Sequence, residues 1–135
     1  MREVFVDSGS WIALADTRDK YHSKAKTQYE ILEEERANLV TTNLVNAEVY
    51  TVIRRTGGYA PAMRFLRSVR ASPRLKVITS DRHLEDQAEE ILRKYKDQDF
   101  SLVDAVSFAV MQDRGIDEAF AFDQHFAIAG FRLVP

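Results

Sequence analysis

Short β-rich runs alternate with longer helical segments along this chain, and no other feature of the sequence limits its fold as strongly. The runs suited to strands lie at residues 3–6, 38–42, 75–79 and 119–122, with an edge strand expected at 131–134. Strands that alternate with helices form a mostly parallel sheet covered on both faces. We therefore predict a three-layer α/β/α fold with four or five mostly parallel strands, in a single domain over residues 1–135.

Local signals predict where the helices between these strands begin and end. Asn43 is expected to cap one helix, which ends at Gly57-Gly58, and Pro61 is expected to occupy the first position of the next. Apolar residues from Leu84 to Tyr95 recur at helical spacing, and Gly115 stops the last long helix. In parallel sheets of this kind, ligands bind beyond the carboxyl ends of the strands, so chemistry is expected there.

Composition excludes several classes of protein. The chain has no cysteine, which rules out disulfide frameworks, thiolate zinc sites and a cysteine nucleophile. The N-terminal apolar run stops at Asp7, whereas a signal peptide needs about 7–15 apolar residues. Nothing approaches the roughly 18 apolar residues that span a bilayer. We expect a cytoplasmic protein without a membrane segment.

Charge is distributed unevenly along the chain. Residues 49–80 hold seven basic residues and no acidic one, although the net charge of the chain is −2. The remainder holds 12 basic and 21 acidic residues. Arginines often cover solvated helix faces, and that explanation suffices for any one of them. The segment as a whole favours a surface that faces a polyanion.

Two aspartates each follow a predicted strand. Asp7 comes directly after the strand at 3–6, and Asp123 directly after the strand at 119–122. Local explanations exist for both, because Asp7 is suited to capping the following helix and Asp123 to a turn. If the sheet is parallel, however, both side chains lie at the same edge.

Two further carboxylates belong to helices. Glu48 shares a helix face with Leu44, Val45 and Val52, where an ionised side chain is costly unless it is paired or binds a metal. An arginine partner or simple exposure would also account for it. Asp104 fits an S-x-x-D capping box with Ser101 and can also face a cleft.

The four carboxylates are more informative together than singly. Helix starts and strand ends share one edge of a parallel sheet, so Asp7, Glu48, Asp104 and Asp123 can converge there. Converging carboxylates repel one another, and a hard divalent cation relieves that repulsion. Oxygen ligands suit Mg²⁺ or Mn²⁺, and such sites commonly act on phosphates.

The same residues resemble a known family. The stretches VFVDSGSWIAL (4–14), TNLVNAE (42–48), FSLVDAVSFAVM (100–111) and AFAFDQHF (119–126) are similar to those of the PIN-domain nucleases, especially the VapC-like toxins. The resemblance covers nearly the whole chain and has the same order of acidic residues. It implies a Mg²⁺- or Mn²⁺-dependent endoribonuclease that leaves a 5′-phosphate, with Asp7, Glu48, Asp104 and Asp123 as catalytic metal ligands.

The resemblance also implies roles for other residues. Ser8 and Ser101 stand where the family has small hydroxyl residues that orient the acidic cluster, and Asp99 is a candidate to assist or replace Asp123 as the fourth acidic residue. A basic surface would hold the RNA backbone. Its candidates, of which the last three are spaced to form a stripe on one helix, are Arg54, Arg55, Arg64, Arg67 and Arg70.

Several alternatives remain open from sequence alone. His22, His83 and His125 lack metal-ligand spacing, and His125, two residues after Asp123, is interpreted as structural or as a neighbour of the cleft. A haloacid dehalogenase-type phosphatase would need an aspartate at position 9, where this chain has Gly9. A receiver domain would need a second acidic residue beside Asp7, and none is apparent. The chain is expected to be a homodimeric toxin with a cognate antitoxin, or else a solitary RNA-processing nuclease or a non-catalytic binding module.

Overall fold

Five strands form one sheet in the computed structural model, which describes residues 2–134. They are β1 (Glu3–Val6), β2 (Asn38–Thr42), β3 (Leu75–Ile78), β4 (Glu118–Phe120) and β5 (Arg132–Leu133). Their order across the sheet is β3-β2-β1-β4-β5, and every neighbouring pair is parallel. The predicted α/β fold with a parallel sheet is therefore confirmed.

Seven helices connect the strands within the described residues. They are α1 (Ser8–Ala15), α2 (His22–Glu34), α3 (Asn43–Gly57), α4 (Tyr59–Ala71), α5 (Arg82–Lys94), α6 (Leu102–Arg114) and α7 (His125–Ile128). Helix α1 packs on both α2 and α3, α3 packs on α4, α5 packs on α6, and the helices flank the sheet. Within residues 2–134, none of the helices combines the length and the apolar character that crossing a bilayer requires.

The core lies around β1, the central strand. Its Val4, Phe5 and Val6 are fully buried, as expected for a parallel strand covered on both faces. The Phe126 ring lies 6.1 Å from that of Phe5 and 5.0 Å from that of Phe108. These aromatic contacts join the first strand, α6 and α7, and so hold together the elements that carry Asp7, Asp104 and Asp123.

The predicted cap of α3 was wrong by one residue. Thr42 is the N-cap, and its hydroxyl accepts a hydrogen bond from the Val45 N–H at 3.1 Å. The Asn43 side-chain oxygen instead accepts from the Ser80 N–H at 2.8 Å, which ties the start of α3 to the segment after β3. Both residue types cap helices well, and a contact distant in sequence decides between them.

Two other predicted boundaries also shift. Pro61 is the third residue of α4 rather than the first, and its missing N–H costs little there because the first helical turn leaves its N–H groups unpaired. The fourth strand covers Glu118–Phe120 instead of residues 119–122. Phe122 leaves the strand direction and stacks on Tyr21, with ring centroids 4.4 Å apart. Asp123 therefore lies three residues beyond the end of β4 rather than directly after it.

Candidate active site

Asp7 lies at the junction between β1 and α1, and its side chain is almost completely buried, with 4% exposed. Its backbone N–H donates to the Phe120 carbonyl at 3.1 Å, and the Ser10 hydroxyl donates to the same oxygen at 2.9 Å. The start of α1 is thus fixed to the end of β4. Asp7 occupies the N-cap position, yet its side chain accepts no capping hydrogen bond. Helix capping therefore does not explain why this carboxyl is buried.

Burial raises the pKa of the Asp7 carboxyl from 3.8 to about 7. The loss of hydration is the largest cause, and the backbone N–H of Ser8 opposes it. The negative charges of Asp104, Glu48 and Asp123 each raise this pKa further. The four predicted carboxylates, which belong to distant parts of the sequence, therefore share one electrostatic environment in the folded chain.

Asp104 is held by the first turn of α6. The Ser101 hydroxyl accepts from the Asp104 N–H at 2.9 Å, and Asp104 Oδ2 accepts from the Ser101 N–H at 3.1 Å. This reciprocal pair is the predicted capping box, which the structure confirms. The cap leaves the Asp104 side chain 14% exposed and fixed in position. Ser101 therefore orients Asp104 through the backbone of the helix start.

Asp123 and His125 complete a cluster with Asp104. The His125 Nδ1 lies 3.1 Å from Asp104 Oδ2 and 3.4 Å from Asp123 Oδ2. The His125 backbone N–H also donates to Asp123 Oδ1 at 2.9 Å. One ligand atom from each of the three residues lies within 4.8 Å of the others, a grouping that could hold a metal ion. From the sequence, His125 was predicted to be structural or a neighbour of the cleft. A single histidine two residues after an aspartate does not match a metal-ligand spacing that would have indicated more.

Glu48 lies half-buried on α3, between Val45 and Val49, which are fully buried. Among the ion pairs formed by residues 2–134, none involves Glu48. An arginine partner therefore does not account for its position within the described chain. Its charge acts on Asp7, although it lies outside the three-residue cluster around His125.

The remaining predicted site residues are placed differently. Ser8 is the half-buried first residue of α1, next to Asp7, and its role in orienting the cluster stays a prediction. Asp99 is exposed, and it is neither in the cluster around His125 nor among the charges that act on Asp7. The structure thus groups Asp123, rather than Asp99, with the other carboxylates.

The five candidate arginines are all exposed and lie on two consecutive helices. Two belong to the last turn of α3 and three to α4, the latter being Arg64, Arg67 and Arg70. Arg64 lines a groove with Trp11 and Phe65, whereas Arg70 lines another groove beside β3. Arg64 and Arg70 thus line two different grooves, and the predicted stripe of arginines stays a prediction. RNA binding by these arginines stays a prediction.

A model of the PIN domain matches residues 4–132 of the chain. The chain belongs to the PIN-domain family. It is 37% identical over 130 residues to the 23S rRNA-specific endonuclease VapC20 of two Mycobacterium tuberculosis strains, a match that covers 95% of each protein. The predicted family and the predicted enzyme class, a nuclease, are confirmed.

The fold of a solved relative agrees with this assignment. The crystal structure of Mycobacterium tuberculosis VapC20, described as a toxin that cleaves the sarcin–ricin loop, superposes with a TM-score of 0.84 at 36% identity. The match covers 95% of each chain. The similarity of fold therefore extends over nearly the whole chain.

Proposed function

We propose that this chain is a metal-dependent endoribonuclease whose active site is formed by Asp7, Glu48, Asp104 and Asp123. The observation that carries the proposal is their convergence from four separate parts of the sequence, with Asp7 buried and subject to the charges of the other three. Burial of an ionised carboxyl without a partner is strongly unfavourable. Only Asp7 is buried, but the other three negative charges act on it, and a cation would relieve that repulsion.

The donor groups fit a hard divalent ion. Carboxylate oxygens are the ligands that Mg²⁺ and Mn²⁺ prefer, and Asp104 and Asp123 would hold the ion, with Asp7 and Glu48 supplying further negative charge. A bound ion of this kind neutralises phosphate charge and makes water a stronger acid. Ser101 fixes the orientation of Asp104 through the capping box. The hydrogen bond from the Asp7 N–H to the Phe120 carbonyl fixes the start of α1, and with it the position of Asp7.

The reaction that we infer is hydrolysis of an RNA phosphodiester. Water attacks phosphorus, the 3′-oxygen leaves with a proton, and the product carries a 5′-phosphate. Asp7 and Asp104 are the two candidates to accept the proton of the attacking water. Asp7 suits this role because its buried carboxyl lies within the electrostatic reach of the other three carboxylates, so it is close to where the water would be activated.

We propose an rRNA hairpin loop as the substrate class, because the similar VapC20 is named as specific for 23S rRNA and as cleaving the sarcin–ricin loop. The exposed arginines on α3 and α4 would contact the RNA backbone. By the same similarity, we propose that the protein is a toxin that acts in the cytoplasm as a homodimer and is neutralised by a cognate antitoxin.

Cleavage of a synthetic sarcin–ricin hairpin tests the nuclease. Wild-type protein, Asp104→Asn and Asp99→Asn would be purified identically and assayed with Mg²⁺, with Mn²⁺ and with chelator. We expect metal-dependent cleavage by the wild type and by the Asp99→Asn control, and a loss of about a hundredfold or more in Asp104→Asn. Equal cleavage by Asp104→Asn and wild type would refute the assigned site, and a 5′-hydroxyl product would refute the reaction.

A further inference from the structure

His125 directs its ring nitrogen into the acidic cluster, although it is not one of the four carboxylate residues proposed to form the active site. Its Nδ1 lies between two carboxylate oxygens, 3.1 Å from Asp104 Oδ2 and 3.4 Å from Asp123 Oδ2. A neutral imidazole carries at most one hydrogen on Nδ1, so this nitrogen cannot donate a full hydrogen bond to both carboxylates at once. The arrangement is better suited to an ion held jointly by all three side chains.

The separations match those of ligands around one small cation. Metal–ligand distances of about 2.1 Å put adjacent octahedral ligands about 3.0 Å apart and opposite ones about 4.2 Å apart. The two distances from Nδ1 are close to the adjacent separation, and all three donor atoms lie within 4.8 Å of one another. The three side chains can therefore approach a shared ion with small movements.

The imidazole ring is also held in place. His125 is the first residue of α7, and its backbone N–H donates to Asp123 Oδ1, which turns the other oxygen of that carboxylate towards the ring. The ring packs edge-on against Phe100, with centroids 5.1 Å apart and an interplanar angle of 67°. Its side chain is only 27% exposed. The backbone hydrogen bond and this packing hold Nδ1 facing the two carboxylates.

We propose that His125 coordinates the active-site ion through Nδ1 and gives the site a preference for Mn²⁺ over Mg²⁺. Mg²⁺ takes oxygen ligands almost exclusively, whereas imidazole nitrogen is a good donor for transition metals. Compared with an all-carboxylate set, an aspartate–aspartate–histidine set therefore shifts the selectivity of the site from Mg²⁺ towards Mn²⁺. The inference rests on the metal site of the proposed function, but it concerns which ion the site selects and through which atom.

Pulsed electron paramagnetic resonance of bound Mn²⁺ tests this directly, because it detects a ¹⁴N nucleus coordinated to the metal. The matched control is His83→Gln, since His83 is exposed and its Nε2 also lies near an aspartate, 3.2 Å from Asp113 Oδ2. We expect nitrogen coupling in the wild type and in His83→Gln, and none in His125→Gln. Calorimetric titration should show Mn²⁺ affinity falling by about tenfold in His125→Gln, and Mg²⁺ affinity by less than about threefold.

Several results would overturn the inference: bound Mn²⁺ without nitrogen coupling, coupling that persists in His125→Gln, equal losses for both ions, or no Mn²⁺ binding at all. Thermal unfolding would check that His125→Gln is folded, and His125→Asn replaces it if it is not. Nitrogen coupling without cleavage of the sarcin–ricin hairpin would refute the proposed substrate and leave this inference standing. If RNA cleavage depends on Asp104 but bound Mn²⁺ shows no nitrogen coupling, the proposed nuclease site stands and the coordination by His125 is refuted.

Discussion

Replacing Asp7 with asparagine should stabilise the metal-free protein at neutral pH. Folding raises the pKa of this carboxyl from 3.8 to about 7, and each unit corresponds to about 1.4 kcal/mol. The ionised form therefore costs the folded state about 4 kcal/mol relative to the protonated form. Asparagine has nearly the same shape and carries no charge, so it removes this cost while keeping the volume of the buried site.

The sign of the pH dependence follows from the direction of the shift. Below pH 3.8 both the folded and the unfolded chain hold the Asp7 proton, so this group adds no dependence on pH. Between 3.8 and about 7 the folded state binds the proton more tightly, and stability falls as pH rises. Above 7 both states are ionised. The stability difference between Asp7→Asn and wild type should therefore grow by about 4 kcal/mol between pH 4 and pH 8.

Urea denaturation in the presence of chelator at several pH values measures this difference. The asparagine amide does not titrate. Any change in its hydrogen bonding therefore shifts the stability difference by the same amount at every pH and leaves its increase with pH unaltered. The exposed Asp99→Asn serves as the control and should show a flat difference from wild type. A flat difference for Asp7→Asn as well would refute the reasoning. Added Mn²⁺ should stabilise the wild type far more than Asp7→Asn, since ligands stabilise the state that binds them.

Three further predictions concern other parts of the chain. Glu118→Gln should cost about 1–2 kcal/mol of stability at pH 7, because hydrogen bonds from Arg2 hold the Glu118 pKa below its usual value. Urea denaturation should show that this cost disappears as the pH falls through the lowered pKa. Ser101→Ala should cost about 1 kcal/mol of stability by removing the cap of α6, and should slow hairpin cleavage as well. Arg64→Ala should weaken binding of unrelated RNA sequences equally and reduce the salt dependence of binding by about one unit of slope, measured by fluorescence anisotropy.

The parallel sheet could be predicted because its signals are local. Each buried strand reads as a short apolar run, and the helices between them have caps and periodic apolar faces. The capping box of α6 could also be predicted, since Ser101 and Asp104 are three residues apart and form their mutual hydrogen bonds within one helical turn. The positions of Asp7 and Asp104 in the site then followed from one topological rule, that strand ends and helix starts share an edge.

Features decided by distant contacts could not be predicted. Thr42 rather than Asn43 caps α3 because Asn43 is used by the Ser80 N–H, and that contact joins segments 37 residues apart. The fourth strand ends at Phe120, and Phe122 beyond it stacks on Tyr21, the residue before α2 and about 100 positions away in the sequence. The place of His125 in the acidic cluster likewise depends on how α7 packs, which no local pattern in the sequence specifies.

The most direct test of the account is a crystal structure grown with Mn²⁺ and measured for anomalous scattering. We predict an anomalous peak within coordination distance of carboxylate oxygens of Asp104 and Asp123, with Asp7 and Glu48 facing the same space. The matched Asp104→Asn crystal should show a much weaker peak or none. A strong peak elsewhere on the molecule, with the four carboxylates left without an ion, would contradict the claim that they form one metal site.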